Sequence, residues 1–417
     1  MKTDKLHIVG GGIIGLCAAW YLKKEGFDLT IIDKNNFSDG TSFGNAGMIV
    51  PSHFVPMATP GVIVQGLKWL LNSKSPFYIK PRLNADLMQW LWQFYRSANA
   101  QHVREAMPVL YALNEESKSL YKTLAAENDF DFGFEERGLL MLYKTHKQAE
   151  EEEALAEKAT RLGIKTEILD TKGLQKLEPE MDLDVLGGIY FPGDAHLYPN
   201  RLMAQMTARL KQMGVQFISN TEVVDFEIKN DKIEALLTND GREITVENVL
   251  LSSGSWTGTL LKKAGVKIHL QDGKGYSLTL KEPGVRPRIP TILSEAKVAI
   301  TPMGADLRIG GTLELSGWSE GINLKRVQGI VESIPAYYKN LPTPNVEQSP
   351  IWQGYRPCTP DGMPYIGKSA ILTNLIVGTG HGMMGLSLGA VTGKIICDLM
   401  TGDPAFMDIH PFRLNRF

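Results

Sequence analysis

A chain of 417 residues is too long for one core of ordinary size, so two domains are expected. Its 43% hydrophobic and 22% charged residues suit an ordinary globular protein, and a formal net charge of -2 with no long basic run excludes an electrostatic footprint for nucleic acid. The cysteines, Cys17, Cys358 and Cys397, have no C-x-x-C spacing, which excludes a disulfide framework and a zinc site and suits a reducing compartment.

The predicted elements begin with "LHIVG", a short buried strand, then "GGIIGLCAAWYLKKEG", an apolar helix that stops at Gly26, then "DLTIID", a second strand. A cleaved signal is not expected here, because consecutive glycines interrupt the apolar stretch and no small-residue cleavage site follows. No apolar run reaches the ~18 residues of a spanning helix. From about Met57 to Arg104, "GLKWLLNSKSPFYIKP" and "LMQWLWQFYRSANA" predict aromatic-rich amphipathic helices in a long excursion from the sheet. "HKQAEEEEALAEKATRLG" predicts a charged helix with its glutamates on a solvated face.

The central "GVQFISNTEVVDFEIKNDKIEALLTNDGREITVENVLLSSGSW" alternates and turns at Asn-Asp and Asp-Gly, as a β-meander does. "VAITPMGADLRIGGTLEL" predicts a hairpin turning at Gly304-Ala305-Asp306, and "NLIVGTGHGMMGLSLGAVTGKIICDLM" a strand running into a glycine-studded helix. The fold class is therefore α/β, a Rossmann-like cofactor domain with an inserted antiparallel-sheet (α+β) substrate domain. The expected division gives residues 1–56, 166–256 and 351–417 to the cofactor domain, and 57–165 (with the helical excursion) and 257–350 to the substrate domain.

Gly10-x-Gly12-x-x-Gly15 follows a strand and opens a helix, which permits a tight turn, close approach to a pyrophosphate, and unpaired N–H groups aimed at it. Asp33 ends the second strand about 20 residues on, where a carboxylate accepts hydrogen bonds from ribose hydroxyls and disfavours a 2′-phosphate. The motif alone leaves NAD and FAD open. "DGTSFGNAGMIVPSH" (Asp39 to His53) is a loop suited to set backbone amides against a phosphate or flat ring, though a plain surface loop is the alternative. In "GTGHGMMGLSLG" and the four residues after it, Gly385, Gly389 and Gly393 fall at four-residue intervals, a spacing that lets a helix approach something flat and bulky such as a flavin. His381 reads as a backbone-satisfying residue before a catalytic one. His53 and His196 are weaker candidates still, and no two histidines have metal-ligand spacing, so no metal is expected.

With these motifs in hand, the chain resembles the FAD-dependent D-amino-acid oxidase superfamily, and within it most resembles the bacterial D-amino-acid dehydrogenase small-subunit family. The likeness rests on "VGGGIIGLCAAWYL", "TIIDK", "TSFGNAGMI", "GKGYSL", "RIGGTLEL", "GYRPCTPDGMPYIG" and "NLIVGTGHGMMG", taken in order along nearly the whole chain. The resemblance implies Arg356 as the substrate-carboxylate arginine and Tyr276, a looser match, as a residue of the substrate site. It implies an FAD site made by Gly10, Gly12, Ile13, Ile14, Gly15, Asp33 and Lys34, by Thr41, Ser42, Asn45, Ala46, Gly47 and Met48, by Val223 and Gly254, and by Gly380, His381, Gly382 and Met383. Cys358 does not align with the cysteine that sarcosine-oxidase relatives attach to flavin, so non-covalent FAD is implied. "GDAHLYPNRLM" (Gly193 to Met203) departs from the family pattern.

The implied reaction is oxidative deamination of a D-amino acid to the 2-oxo acid and ammonia, by hydride transfer from the α-carbon to flavin, with electrons passed to a quinone or other carrier. The alternative within the same chemistry is a secondary amino acid of the glycine/sarcosine, D-proline or hydroxyproline type. The implied location is cytoplasmic. The Trp69 to Arg96 stretch suggests either peripheral contact with the inner face of the cell membrane or buried core, and a homo-oligomer is a further option.

Overall fold

The structure, a computed structural model, describes residues 4–62, 77–80, 82, 84–318 and 321–417. β1 (Lys5–Val9) lies between parallel partners β2 (Asp28–Ile32) and β13 (Asn248–Leu251), with Ile8 opposite both Ile31 and Leu250. A strand paired on both edges and covered on both faces is mostly apolar, as "LHIV" is apart from the half-buried His7. β9 (Gln216–Ile218), β20 (Leu375–Thr379) and the antiparallel β19 (Tyr365–Lys368) complete a six-stranded sheet in the order β19-β20-β13-β1-β2-β9.

The helices are α1 (Ile13–Lys24), α2 (Ala85–Ser97), α3 (Ala100–Ala125), α4 (His146–Arg161), α5 (Thr171–Leu177), α6 (Pro199–Gln212), α7 (Thr257–Lys263), α8 (Leu324–Tyr337) and α9 (Gly389–Thr401). α1 and α9 are buried together. A Cβ on Gly393 would lie 2.5 Å from the Cys17 carbonyl carbon, and one on Gly389 would lie 2.7 Å from both Ile13 Cγ1 and Tyr121 Oη. The four-residue glycine spacing therefore serves helix against helix, not helix against a flat ligand. Gly385 precedes α9, and a short 3₁₀ turn over Gly382–Met384 stands where the helix start was expected.

The second sheet holds β18 (Ile351–Cys358), β14 (Gln271–Leu280), β17 (Asp306–Leu315), β16 (Val298–Met303), β15 (Thr291–Leu293), β5 (Leu139–Tyr143), β7 (Gly187–Phe191) and β6 (Glu167–Leu169), in that order. β4 (Phe77–Ile79) runs parallel to Leu313–Leu315 of β17, although these residues were expected in a helix. The rest of that expected helix, with Trp69, lies outside the described residues. The hairpin β16–β17 turns at Gly304 as expected. β10 (Val223–Lys229), β11 (Lys232–Thr238) and β12 (Glu243–Thr245) form the central meander, and β3 (Met48–Ile49) pairs with β8 (Ala195–His196).

Some sequence boundaries fall elsewhere. β6 and β7, beyond 166, and β18, beyond 351, all pair within the second sheet, because backbone ladders and not composition decide which sheet holds a strand. The glutamate run on α4 also turns one member inward. Glu152 is buried and accepts from Gln148 Nε2 at 3.0 Å, while its neighbours in the run stay exposed. α2 is amphipathic as expected and is capped by Asn84, whose side chain accepts from Asp86 N–H. Leu87 and Trp90 face inward, whereas Met88, Trp92 and Tyr95 are exposed on the other side.

Candidate active site

One cavity of about 1420 Å³ runs from the C-terminal ends of β1 and β2, along the start of α1, to the face of the second sheet. Drug-sized ligands occupy ~300–1,000 Å³, so this space suits a dinucleotide and a second molecule together. At its first end, Asp33 follows β2 and accepts from Gly11 N–H at 2.7 Å and Asn35 N–H at 2.8 Å. Burial pushes its carboxyl pKa up, and those two N–H groups oppose the shift. Gly10, Gly12, Ile13 and Ile14 form the adjoining wall with Lys34, whose ammonium sits 3.6 Å from the centre of the Trp256 ring. Val223 and Gly254 line the same end.

α1 begins with no acidic residue in its first turn and no side-chain cap from Gly12. Its Ile13 N–H is met by Ser42 Oγ at 3.1 Å. Thr41, Ser42, Asn45, Ala46 and Met48 carry the wall onward to the sheet. Three of the expected cofactor residues stand back from the cavity. A Cβ on Gly15 would lie 2.1 Å from Gly10 O, one on Gly47 2.3 Å from Leu197 O, and one on Gly380 2.6 Å from Thr359 Cγ2, so these glycines make room for neighbouring chain. His381, Gly382 and Met383 do reach the wall. His381 Nε2 is bonded with Thr392 Oγ1 at 2.9 Å, and burial lowers its pKa to about 3, which leaves it neutral and without acid or base work.

Arg356 ends the wall on β18. Its guanidinium lies across Gly275 of β14 and donates through Nη1 to Thr312 O on β17. Burial lowers its pKa from the ordinary arginine value, and among the described residues no carboxylate pairs with it. Trp90 Nε1 donates to Cys358 O at 2.9 Å, which ties α2 to this strand. The Pro-Asp-Gly turn that follows is held by Arg416, whose Nε and Nη2 donate to Asp361 Oδ2 and Oδ1 at 2.6 and 3.0 Å. Cys358 is buried with its thiol pKa pushed up to about 12, so it stays protonated.

Tyr276 borders the same cavity as Arg356, with its side chain on the other face of β14. The register sets Gly273 opposite Arg356 and Tyr276 opposite Gln353, so the pleat sends the tyrosine and arginine side chains to opposite faces. Tyr276 borders the cavity, but its hydroxyl donates to Glu314 Oε2 at 3.0 Å and accepts from Asn323 N–H at 3.3 Å, behind the sheet. Glu314 is in turn paired with the buried Arg326 of α8.

Two contributors were missed by the sequence reading. Arg308, buried on β17, donates through Nη1 to Phe43 O and Asn45 O at 2.6 and 2.9 Å and so fixes the Thr41–Met48 loop. A charged residue inside the apolar strand "RIGGTLEL" was the available signal. The second is the pair Ser52 and Asp194, buried beside His53, which lines the cavity. Asp194 falls within the segment noted as departing from the family pattern.

A strand, glycine turn and helix beside an acidic strand end, opening into a space for a dinucleotide and a second molecule, is the architecture of a dinucleotide-dependent oxidoreductase. The residues present fit FAD: Asp33 and the start of α1, which has no acidic residue in its first turn, suit its adenosine and pyrophosphate, and the Ser42–Met48 wall leads on toward the sheet. The chain matches the family described as FAD dependent oxidoreductase over residues 5–399, and it belongs to that family. It is 31% identical to D-amino acid dehydrogenase of Helicobacter pylori (strain ATCC 700392 / 26695) over 400 residues, covering 96% of this chain and 95% of that one. It is also 31% identical to D-amino acid dehydrogenase of Vibrio atlanticus (strain LGP32) over 417 residues, covering 98% and 99%. Among solved structures, glycine oxidase from Geobacillus kaustophilus has the same fold, with a TM-score of 0.78 at 22% identity over 100% of both chains. L-proline dehydrogenase from P. horikoshii does so with a TM-score of 0.75 at 18% identity, over 100% of this chain and 98% of that one. The protein is an FAD-dependent oxidoreductase.

Proposed function

We propose that this chain is a D-amino-acid dehydrogenase, converting a D-amino acid to the 2-oxo acid and ammonia and passing electrons to a quinone or other carrier. The observation that carries this reading is Arg356, a buried cation on the cavity wall with no carboxylate partner among the described residues. Such a group is satisfied by the α-carboxylate of a substrate, held bidentate and in fixed orientation. The full-length likeness to D-amino acid dehydrogenases supports the class of substrate.

Bound FAD supplies the acceptor for the α-hydrogen and its electron pair. The chain's residues do the rest. Arg356 fixes the carboxylate, Thr312 O and Gly275 fix Arg356, and Arg308 holds the loop that faces the cofactor. Loss of the α-hydrogen with its pair and of one N–H proton gives the imino acid, and water then releases ammonia and the 2-oxo acid. Contact with a quinone-bearing membrane would use the exposed Met88, Trp92 and Tyr95 of α2, and flotation with liposomes tests it. No helix among the described residues is long and apolar enough to cross a membrane.

The deciding assay is a panel of D- and L-amino acids with a dye acceptor and with oxygen, run on the wild type and on Arg356→Leu. The variant is expected to retain FAD and to raise KM about 100-fold or more, the scale of losing one partner of a buried charge pair. Unchanged kinetics on every amino acid would sink the assignment.

A further inference from the structure

Asp194, Ser52 and His53 form a hydrogen-bonded chain that ends in the cavity. Ser52 Oγ is 2.5 Å from Asp194 Oδ2 and 3.2 Å from His53 Nδ1, and Ser52 N–H donates to Asp194 Oδ1 at 3.1 Å. Asp194 and Ser52 are buried, while His53 lines the cavity and Nε2 has no hydrogen-bond partner among the described residues. The surrounding wall is formed by the apolar Met48, Val50, Met141, Ile292 and Ala299 together with Lys297. A hydrolytic triad would place the imidazole between the other two groups, and here the serine is central.

The position suits a substrate held by Arg356. The guanidinium reaches across β14 to Thr312 on β17. β16 and β15 come next, and His53 N–H donates to Val50 O, a residue of the hydrophobic cluster against which Ala299 and Ile292 of those strands pack. Arg356 and His53 thus line one and the same cavity.

We propose that His53 is a specificity-determining residue, whose Nε2 accepts a hydrogen bond from a hydroxyl or N–H on the substrate side chain in the sense set by Ser52 and Asp194. This deepens the reading of the site as an amino-acid oxidoreductase and rests on it. A serine hydroxyl has one proton, so the chain has a direction. With Asp194 ionised, Ser52 donates to it, His53 Nδ1–H donates to Ser52, and Nε2 is a bare acceptor. With Asp194 protonated, each bond reverses and the proton sits on Nε2. Burial raises the Asp194 pKa to about 7 against the pull of the Ser52 hydrogen bonds, and it holds the imidazole near 4, so the reversal occurs with His53 neutral. The charged and titratable groups around the chain are Lys297 in the β15–β16 turn, with Glu152 of α4 beyond it, Lys118, Glu115 and Tyr111 of α3, and Tyr190 of β7.

The test uses FAD-loaded protein and an isosteric substrate pair, D-homoserine and D-norvaline, compared by kcat/KM with a dye acceptor above pH 7. The wild type is expected to favour homoserine about tenfold, the scale of one hydrogen bond to a buried acceptor, and the ratio should fall to about one in His53→Phe. Turnover of norvaline with no homoserine preference, or a preference that survives His53→Phe, overturns this inference alone. Failure to turn over any amino acid overturns the underlying reading with it. Nitrogen-15 histidine spectra, with His53 assigned by difference from His53→Gln, should show Nδ1 protonated at high pH and Nε2 protonated at low pH. Asp194→Asn should fix one form, and a His53 tautomer indifferent to that change also overturns the proposal.

Discussion

The Arg356 guanidinium lies across Gly275 so closely that a Cβ there would fall 2.0 Å from Nη1 and 2.3 Å from Cζ. The register places Gly275 opposite Gly354, two residues from Arg356, so the arginine turns back over a floor with no side chains. That floor brings the guanidinium to Thr312 O on the next strand. Gly275→Ala is therefore expected to lift the cation from its seat while leaving the nucleotide end intact. KM for the amino-acid substrate should rise about tenfold or more, where each decade is ~1.4 kcal/mol, with FAD content unchanged. Steady-state kinetics beside flavin absorbance measure both, and an unaltered KM would mean that Gly275 only fills space.

Tyr276→Phe is expected to act on stability and not on substrate affinity. The hydroxyl is bonded to Glu314 and Asn323 behind the sheet, within reach of the Arg326 pair, and the lost contact leaves a buried carboxylate oxygen less satisfied. Urea unfolding should report a loss of about 1–3 kcal/mol, with KM within twofold of wild type. A large KM change with unaltered stability would return Tyr276 to the substrate site.

These two neighbours mark what the sequence could and could not disclose. The βαβ unit, Asp33 and the meander were legible because hydrophobic period and turn residues act locally. The collecting of Arg356 and the Ser42 loop into one cavity was legible only through ordered motifs. Which face of β14 holds Tyr276 depends on its register with β18 and on a register shift between Lys274 and Tyr276 relative to β17, and no local pattern encodes either. The same holds for Gly389 and Gly393, whose spacing is compatible with a flat ligand or a second helix until α1 is seen against them. Glu152 is a further case, one inward member of a run whose composition reads as solvated.

Ser42 Oγ holds the Ile13 N–H at the start of α1, where a phosphate would also bind. Ser42→Ala removes that hydroxyl and a polar group of the cofactor wall without adding bulk. FAD affinity is expected to fall about fivefold, from a contribution of ~1 kcal/mol typical of a hydroxyl at a helix start. Titration of the apoprotein by flavin fluorescence measures it. A dissociation constant equal to wild type would confine Ser42 to capping the helix.

Asp194 makes stability depend on pH in a direction opposite to a salt-bridged carboxylate. Its folded pKa is raised to about 7 by burial, whereas an unfolded aspartate titrates near ~3.9. Between those values the folded chain keeps a proton that the unfolded chain has released. Its contribution is therefore fully present below about pH 4, is lost as pH rises toward 7, and is constant above. Asp194→Asn has no such titration and can still bond Ser52. The unfolding free energy of wild type minus variant should thus decline between pH 4 and 7, with a slope no steeper than ~1.4 kcal/mol per pH unit, and then level off. His381, neutral and pushed down to about 3, titrates in both proteins and cancels in the difference. Urea melts at half-unit intervals give the curve. A difference that stays flat across this range would show that Asp194 ionises in the ordinary carboxylate range, and Ser52 would then donate to it at every pH above about 5.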